Sequence, residues 1–249
     1  MSSKLIDVSE FQSTIDWKKV KASGINYAII RVGGRFGVSG KIYEDSKFSI
    51  NIKNAINSGI KVGVYFFTQA VNTNEAIQEA RYTLDKIKGY TITLPVYIDT
   101  EWLDSGRHNN ITRRQRTDVC KAFCEEIKKN GYNAGVYAST SWANNNLIMS
   151  ELPYSIWIAQ YYKECQYKGS YDIWQYSSSG SVSGISGNCD MNILYKIYEE
   201  KSYTNDIKVK AVDVLLGKYG NGEERVKKLG ADYKEVQSLV NLLLERLGL

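Results

Sequence analysis

Three segments of this chain repeat one local design, and that repetition restricts the fold more than any other feature. They are Gly24-Ile25-Asn26-Tyr27-Ala28-Ile29-Ile30-Arg31, Gly59-Ile60-Lys61-Val62-Gly63-Val64-Tyr65-Phe66 and Gly131-Tyr132-Asn133-Ala134-Gly135-Val136-Tyr137-Ala138. Each opens with a glycine suited to closing a helix, then an apolar residue, a turn and a β-rich run. Each follows a helix-like stretch. Asp16 can cap Trp17 to Ser23, Ser46 to Ser58 carries helical spacing, and Thr112 with Gln115 has capping-box spacing before a helix to Asn130. Asn72 with Glu75 opens a further helix running to Lys88. Repeated helix–Gly–strand units require a parallel sheet with helical crossovers.

Eight strands follow from this pattern: Lys4–Ser9, Tyr27–Gly33, Val62–Phe67, Pro95–Glu101, Ala134–Ser139, Ser155–Tyr161, Asp172–Ser177 and Asp190–Tyr195. Eight parallel-like strands predict an α/β barrel. The last three are separated by Gly/Ser/Tyr-rich stretches too brief for full helices, so the barrel is expected to be irregular on that side. With the more uniformly apolar alternate set of each strand turned outward, the inward set contains Asp7, Arg31, Tyr65, Asp99, Glu101, Tyr137, Trp157, Trp174 and Asp190. Strand interiors rarely hold that many polar groups without a purpose.

The run Leu94-Pro95-Val96-Tyr97-Ile98-Asp99-Thr100-Glu101 reads as a buried strand ending in two carboxylates. Alternation puts Asp99 and Glu101 on one side, about 7 Å apart by strand rise, with Val96 and Ile98 on the other. At that separation one carboxyl group can raise the pKa of the other and divide acid and charge-stabilising roles between them.

The remaining composition narrows the chemistry. There is one histidine, His108, in a polar loop that reads as solvated. A zinc amidase needs more than one histidine ligand, and no cysteine lies in a nucleophile-like context. No metal and no cofactor are expected. Cys120 and Cys124 fall four apart on a helix and read as a packed face rather than a disulfide. The net charge of +5 is spread without a basic block, which gives no nucleic-acid footprint. No run approaches membrane-spanning length, and the opening Met1-Ser2-Ser3-Lys4-Leu5-Ile6-Asp7 has no apolar core of a signal peptide.

After Tyr195 the chain becomes charged. A first domain over 1–198, a linker over 199–206 and a small helical domain over 207–249 are expected. The tail shows three helical patterns, Ile207–Leu216, Glu223–Leu229 and Tyr233–Leu247. Its expected core is Val212, Leu215, Leu216, Val226, Leu229, Val236, Leu239, Val240 and Leu243, a three-helix bundle. The glycine-rich loop Gly217 to Gly222 can present Tyr219 and Asn221 to a ligand, with Arg225, Asp232 and Tyr233 nearby. Arg225 would be the bidentate partner of a carboxylate.

These residues resemble a known family. The opening Ile6-Asp7-Val8-Ser9-Glu10-Phe11-Gln12 with Ile15-Asp16-Trp17 is similar to the start of glycoside hydrolase family 25 lysozymes. So are Gly63-Val64-Tyr65-Phe66-Phe67, Tyr97 to Glu101, Gly135-Val136-Tyr137, Ile156 to Ala159, Asp172 to Tyr176 and Asp190-Met191-Asn192, in the family's order. Phe66 departs from the pattern, where many members carry histidine. The tail from Gly217 to Asn241 looks like one CW_7 cell-wall-binding repeat, with Tyr219 where many copies have tryptophan. The combination is similar to bacteriophage endolysins, held in the host cytoplasm until release and acting at the cell wall.

The resemblance implies a TIM-like (β/α)5β3 barrel and cleavage of the β-1,4 bond between N-acetylmuramic acid and N-acetylglucosamine in peptidoglycan. It implies Glu101 as general acid and Asp99 as the group that orients the sugar's own N-acetyl nucleophile. Asp7 and Asp190 would complete the site, and Arg31, Tyr65, Tyr137, Trp157 and Trp174 would contact sugar, with Tyr65, Tyr137 and Trp157 as stacking walls. A chitin-type hexosaminidase and a wall-binding lectin without catalysis are the alternatives.

Overall fold

The computed structural model describes residues 2–198 and 205–247. The chain divides into two compact units, Met1–Tyr198 and Glu199–Leu249. Most of the expected linker, residues 199–204, lies outside the described residues, and its last two positions, 205 and 206, begin a helix.

Among the described residues of the first unit, nine strands form one sheet. They are β1 (Ser3–Val8), β2 (Tyr27–Arg35), β3 (Ile42–Glu44), β4 (Lys61–Phe67), β5 (Ile92–Asp99), β6 (Ala134–Ser139), β7 (Ser155–Ala159), β8 (Ile173–Gly180) and β9 (Cys189–Leu194). Eight close into a barrel in the order β1-β9-β8-β7-β6-β5-β4-β2, and the β1–β2 pair completes the ring. β3 is an addition, folded back on β2 as an antiparallel hairpin. A Cβ at Gly33 would collide with the Tyr43 carbonyl, so glycine there lets the hairpin close.

β9 corrects the expectation of eight parallel-like strands, because it runs antiparallel to both β8 and β1. The stretch between β8 and β9 holds no helix, and a parallel return needs a crossover of a dozen or more residues. β5 also ends two residues earlier than expected, at Asp99 rather than Glu101.

Five helices of this unit are α1 (Trp17–Ala22), α2 (Phe48–Asn57), α3 (Thr73–Ile87), α4 (Arg113–Lys129) and α5 (Thr140–Asn146). Their starts follow the local chemistry. Asp16 accepts from the Lys19 amide, Asn72 from the Glu75 amide, and Thr112 with Gln115 forms a capping box. Each such cap contributes about 1 kcal/mol. Gly24, Gly59 and Gly131 all adopt positive φ just after helices, where a side chain would be strained.

Strand alternation produces two cores. Ile6, Ile30, Val64, Val96, Ile98, Val136 and Ile158 face outward beneath the helices, with Cys120 and Cys124 of α4 buried there as free thiols. Leu5, Ile29, Tyr97, Tyr137, Trp157, Ile173 and Leu194 fill the barrel interior. One end is closed by a hydroxyl chain. Tyr97 and Tyr198 both bond Ser155 Oγ, at 2.9 and 2.6 Å, and Tyr198 donates to Asp172 at 2.8 Å. Buried hydroxyls bonded in this way avoid a desolvation cost of about 1–3 kcal/mol each.

β8 has the opposite parity to the one expected. Its pairing sets Ile173 beside inward Trp157 and Gln175 beside Ala159, so Trp174 falls beside outward Ile158. Trp174 donates instead to the Gln160 carbonyl at 2.8 Å. Phe66 is likewise outward and fully buried, so its departure from the family pattern does not touch the barrel interior.

The second unit contains α6 (Asn205–Leu215), α7 (Gly222–Leu229) and α8 (Tyr233–Leu247). Its core is Ile207, Ala211, Val214, Leu229, Val236, Leu239 and Val240, with Leu243 partly buried against it. Leu229, Val236, Leu239 and Val240 were expected there. Val212, Leu215, Leu216 and Val226 are exposed, a correction to the expected core. α6 carries two apolar stripes, and the one at 207, 211 and 214 has the i, i+4, i+7 spacing that faces the core. No helix among the described residues is long and apolar enough to cross a membrane.

Candidate active site

The parallel strands deliver their C-terminal ends to one mouth of the barrel. Asp7 is the penultimate residue of β1, Asp99 the last of β5, and Arg31 lies on β2. Because β9 is antiparallel, its second residue, Asp190, sits directly opposite Asp7. Glu101 follows two residues after β5. These groups line a groove of about 750 Å³ together with Glu10, Phe11, Phe36, Tyr43 and Tyr65.

The acids are held differently. Asp7 Oδ2 accepts from Asn192 Nδ2 at 2.7 Å and from Gln175 Nε2 at 2.9 Å, and the same Gln175 nitrogen reaches Asp190 Oδ2 at 3.3 Å. Asp99 is buried, and its Oδ1 has no partner among the described residues. Arg31 donates to Asp45 at 2.7 Å and to Glu10 at 2.9 Å, and its guanidinium lies 4.9 Å from the centre of the Phe11 ring.

Burial raises Asp7, Asp99, Glu101 and Asp190, and repulsion from neighbouring carboxylates adds to it at the first three. Asp99 is pushed well above the ordinary carboxylate range by burial and by the charges of Glu101 and Asp7, with Arg31 opposing. Asp7 is raised by burial and then by Asp190, while Asn192 and Gln175 oppose. Asp190 is raised by burial. Burial and then Asp190 push Glu101 up to about 7. Four carboxyl groups this close cannot all ionise near neutrality, so the groove retains protons and can serve as acid and anion together.

The structure thus brings Asp7, Arg31, Tyr65, Asp99, Glu101 and Asp190 to one groove. Three expected sugar contacts are corrected. Trp157 is 1% exposed in the barrel core and has no free face for a sugar. Its indole donates to Asn192 Oδ1 at 2.8 Å. Tyr137 is also buried, and its hydroxyl donates to Gln175 Oε1 at 2.9 Å. Both therefore act through the two amides that hold Asp7. Trp174 is absent from the groove lining because of its strand parity. Exposed rings at the groove come instead from Phe11, 79% exposed, and Phe36 on the β2–β3 hairpin.

Several of these residues escape a sequence reading. Gln175 and Asn192 lie within the motifs that carry the resemblance. The parity that turns Asp190 inward also turns Asn192 inward, and only Gln175 needed the reversed parity of β8. Glu10 and Asp45 become visible only as partners of Arg31. His108 is corrected from a solvated loop residue to a buried one.

In the helical unit, Arg225 does not present a free fork to a ligand. It donates twice to the Gly220 carbonyl at 3.0 and 2.9 Å, to Asn221 Oδ1 at 2.8 Å and to Gln237 Oε1 at 3.0 Å. Asp232 is engaged by Lys210 at 2.6 Å, and Tyr219 and Tyr233 pack against the core. Arg225 therefore shapes the glycine-rich loop. Arg225→Ala in the full chain is expected to accelerate hydrogen exchange across α7 and the preceding loop about tenfold, from loss of about 1.5 kcal/mol. Unchanged exchange there would remove the loop-holding role.

Comparison with known proteins agrees with this architecture. Residues 6–185 match the glycosyl hydrolases family 25, and residues 211–244 match the CW_7 repeat. The chain is 30% identical over 201 residues to Lysozyme M1 of Streptomyces globisporus, covering 75% of this chain and 66% of that protein. Among solved structures it is similar to the modular autolysin LytC of Streptococcus pneumoniae, solved in complex with a synthetic peptidoglycan ligand. That similarity has 30% identity and a TM-score of 0.69 over 78% of this chain and 47% of that one. It is also similar to the CTP1L endolysin, at 26% identity and a TM-score of 0.63 over 86% of this chain and 70% of that one. The chain thus spans just under two thirds of Lysozyme M1 and about half of LytC. On the extent of the family match and the barrel that carries it, the chain belongs to the glycosyl hydrolases family 25.

Proposed function

We propose that this chain hydrolyses peptidoglycan as an N-acetylmuramidase, cutting the β-1,4 bond between N-acetylmuramic acid and N-acetylglucosamine. The observation that carries the reading is one groove in which Glu101, with its pKa pushed up to about 7, stands near buried Asp99, whose Oδ1 has no partner among the described residues. The peptidoglycan ligand of LytC and the name of Lysozyme M1 support the substrate class.

In this mechanism Glu101 protonates the glycosidic oxygen as the bond to the anomeric carbon breaks. The carbonyl oxygen of the sugar's N-acetyl group attacks that carbon from the opposite face and forms a cyclic cation. Asp99 Oδ1 accepts from the acetamido N–H, orients the carbonyl and stabilises the positive charge that develops on the amide. Glu101, now a carboxylate, removes a proton from water, which attacks the same carbon and restores the amide. Two inversions give net retention. Asp7 and Asp190, joined through Gln175, keep the floor of the groove ordered. Tyr65 and the exposed rings of Phe11 and Phe36 offer apolar faces to sugar.

The helical unit, matched to CW_7, serves in this reading to hold the enzyme on the bacterial wall and raise its effective concentration there. We assign the chain an endolysin role, supported by its similarity to CTP1L. The bond is tested by digesting purified walls, reducing new ends with borohydride and hydrolysing the product. Muramicitol is expected. Glucosaminitol would make the enzyme a glucosaminidase, and the absence of both would remove the hydrolase reading.

A further inference from the structure

We propose that His108 is a positioning residue that holds the general acid in place through the main-chain carbonyl of Glu101. The inference rests on the reading of Glu101 as the acid.

Glu101 lies past the end of β5, so strand geometry does not fix its main chain. Side chains from elsewhere grip it. His108 stands in a short 3-10 turn, Arg107–Asn110, and is 1% exposed. Its Nε2 lies 2.7 Å from the Glu101 carbonyl oxygen. A carbonyl can only accept, so Nε2 carries the proton and Nδ1 is the bare nitrogen. The ring stands edge-on to Trp142 of α5, with centroids 5.7 Å apart. Trp142 Nε1 in turn donates to Thr100 Oγ1 at 3.1 Å. Arg116 of α4 lies 4.7 Å from the Trp142 ring centre and donates to the His108 carbonyl at 2.8 Å. One cluster drawn from three elements therefore holds both Thr100 and Glu101.

The cluster also does not titrate with the reaction. Burial lowers the His108 pKa to about 4, helped by Arg116 and opposed by the bond to the Glu101 carbonyl. The imidazole stays neutral, in one tautomer, across the range in which Glu101 changes charge. A histidine chosen only to fill space would not need its donor aimed at the acid's own carbonyl. Displacement of a catalytic group by about 1 Å costs on the order of 10²-fold in rate, so this bond has leverage on the chemistry.

The test uses the full chain on a soluble muropeptide, with kcat and KM measured from about pH 4 to about pH 9. His108→Phe keeps the ring and its contact with Trp142 but has no donor. It is expected to lower kcat by about 10–100-fold with KM changed less than about twofold. Its alkaline limb should move to lower pH, because a released Glu101 is better solvated and its raised pKa falls. His108→Gln places an amide nitrogen near the Nε2 position and should retain kcat within about threefold, whereas shorter His108→Asn should behave like the phenylalanine variant. Wild-type kcat and pH profile in a folded His108→Phe would overturn the proposal. So would equal rates for the glutamine and asparagine variants, and that pair decides the matter if the phenylalanine variant fails to fold. Glu101→Gln is assayed in parallel. An active Glu101→Gln removes the acid assignment itself, while an inactive one beside a fully active His108→Phe removes only the positioning role.

Discussion

Glu101→Gln is expected to lower kcat on purified walls by about 10²–10⁴-fold while leaving the fold and wall association unchanged. The substitution is nearly isosteric, and the Glu101 main chain is held through its carbonyl, which glutamine keeps. What disappears is the acidic proton. In the native chain burial and the charge of Asp190 push Glu101 up to about 7, so the protonated form dominates below that pH. The sign follows from the role. Activity requires the acid form, so the alkaline limb of kcat lies near pH 7, with a fall of about tenfold per pH unit above it. The glutamine variant should show only a low, flat rate with no limb near 7. The check is a pH series of turbidity loss with melting curves run on both proteins. A folded variant with near-native activity would show that another group protonates the leaving oxygen.

The parts of this fold that were legible in the sequence are the parts decided locally. Helix starts at Asp16, Asn72 and Thr112 and the glycines after helices depend on a few neighbouring residues, and the structure has them in those roles. Strand positions were legible because alternation is also local. The direction of β9 was not, since it depends on the length and path of the preceding connection. The inward face of β8 was not either. Ile173 with Gln175 and Trp174 with Tyr176 are both mixed pairs, and the neighbouring strand makes the choice.

The site divides in the same way. The four acids were legible because each sits at the mouth end of a strand or just past it. Their supporting shell was not. His108 lies in a run of small and polar residues that reads as solvated, and its burial comes from the distant Trp142 and Arg116. Tyr137 and Trp157 were rightly read as inward, but the filled barrel converts them from sugar walls into holders of Gln175 and Asn192. In the tail, α6 carries two apolar stripes, and only packing on α8 selects the one that is buried.

Asp99→Asn is expected to lower kcat by about 10²–10³-fold, with a much smaller change in KM. Asparagine keeps the shape and an acceptor oxygen for the acetamido N–H, so substrate can still be oriented. It has no charge to set against the cation that forms as the N-acetyl oxygen attacks. The pH profile should change at both ends. In the native chain Asp99 is raised by burial and by the charges of Glu101 and Asp7, against Arg31. It must ionise to act, so kcat rises with pH through its raised pKa, and that acid limb should vanish in the variant. The repulsion between Asp99 and Glu101 is mutual, and removing one charge lowers the pKa of the other. The alkaline limb should therefore move to lower pH. A substrate stripped of its N-acetyl groups provides the control, because it lacks the internal nucleophile that Asp99 serves. On it the native enzyme should be slow, and the asparagine variant should be no slower. An Asp99→Asn enzyme within about threefold of native on acetylated walls would exclude Asp99 from the charge-stabilising role. A large loss that persists unchanged on the stripped substrate would give Asp99 a part in the chemistry that does not involve the acetamido group.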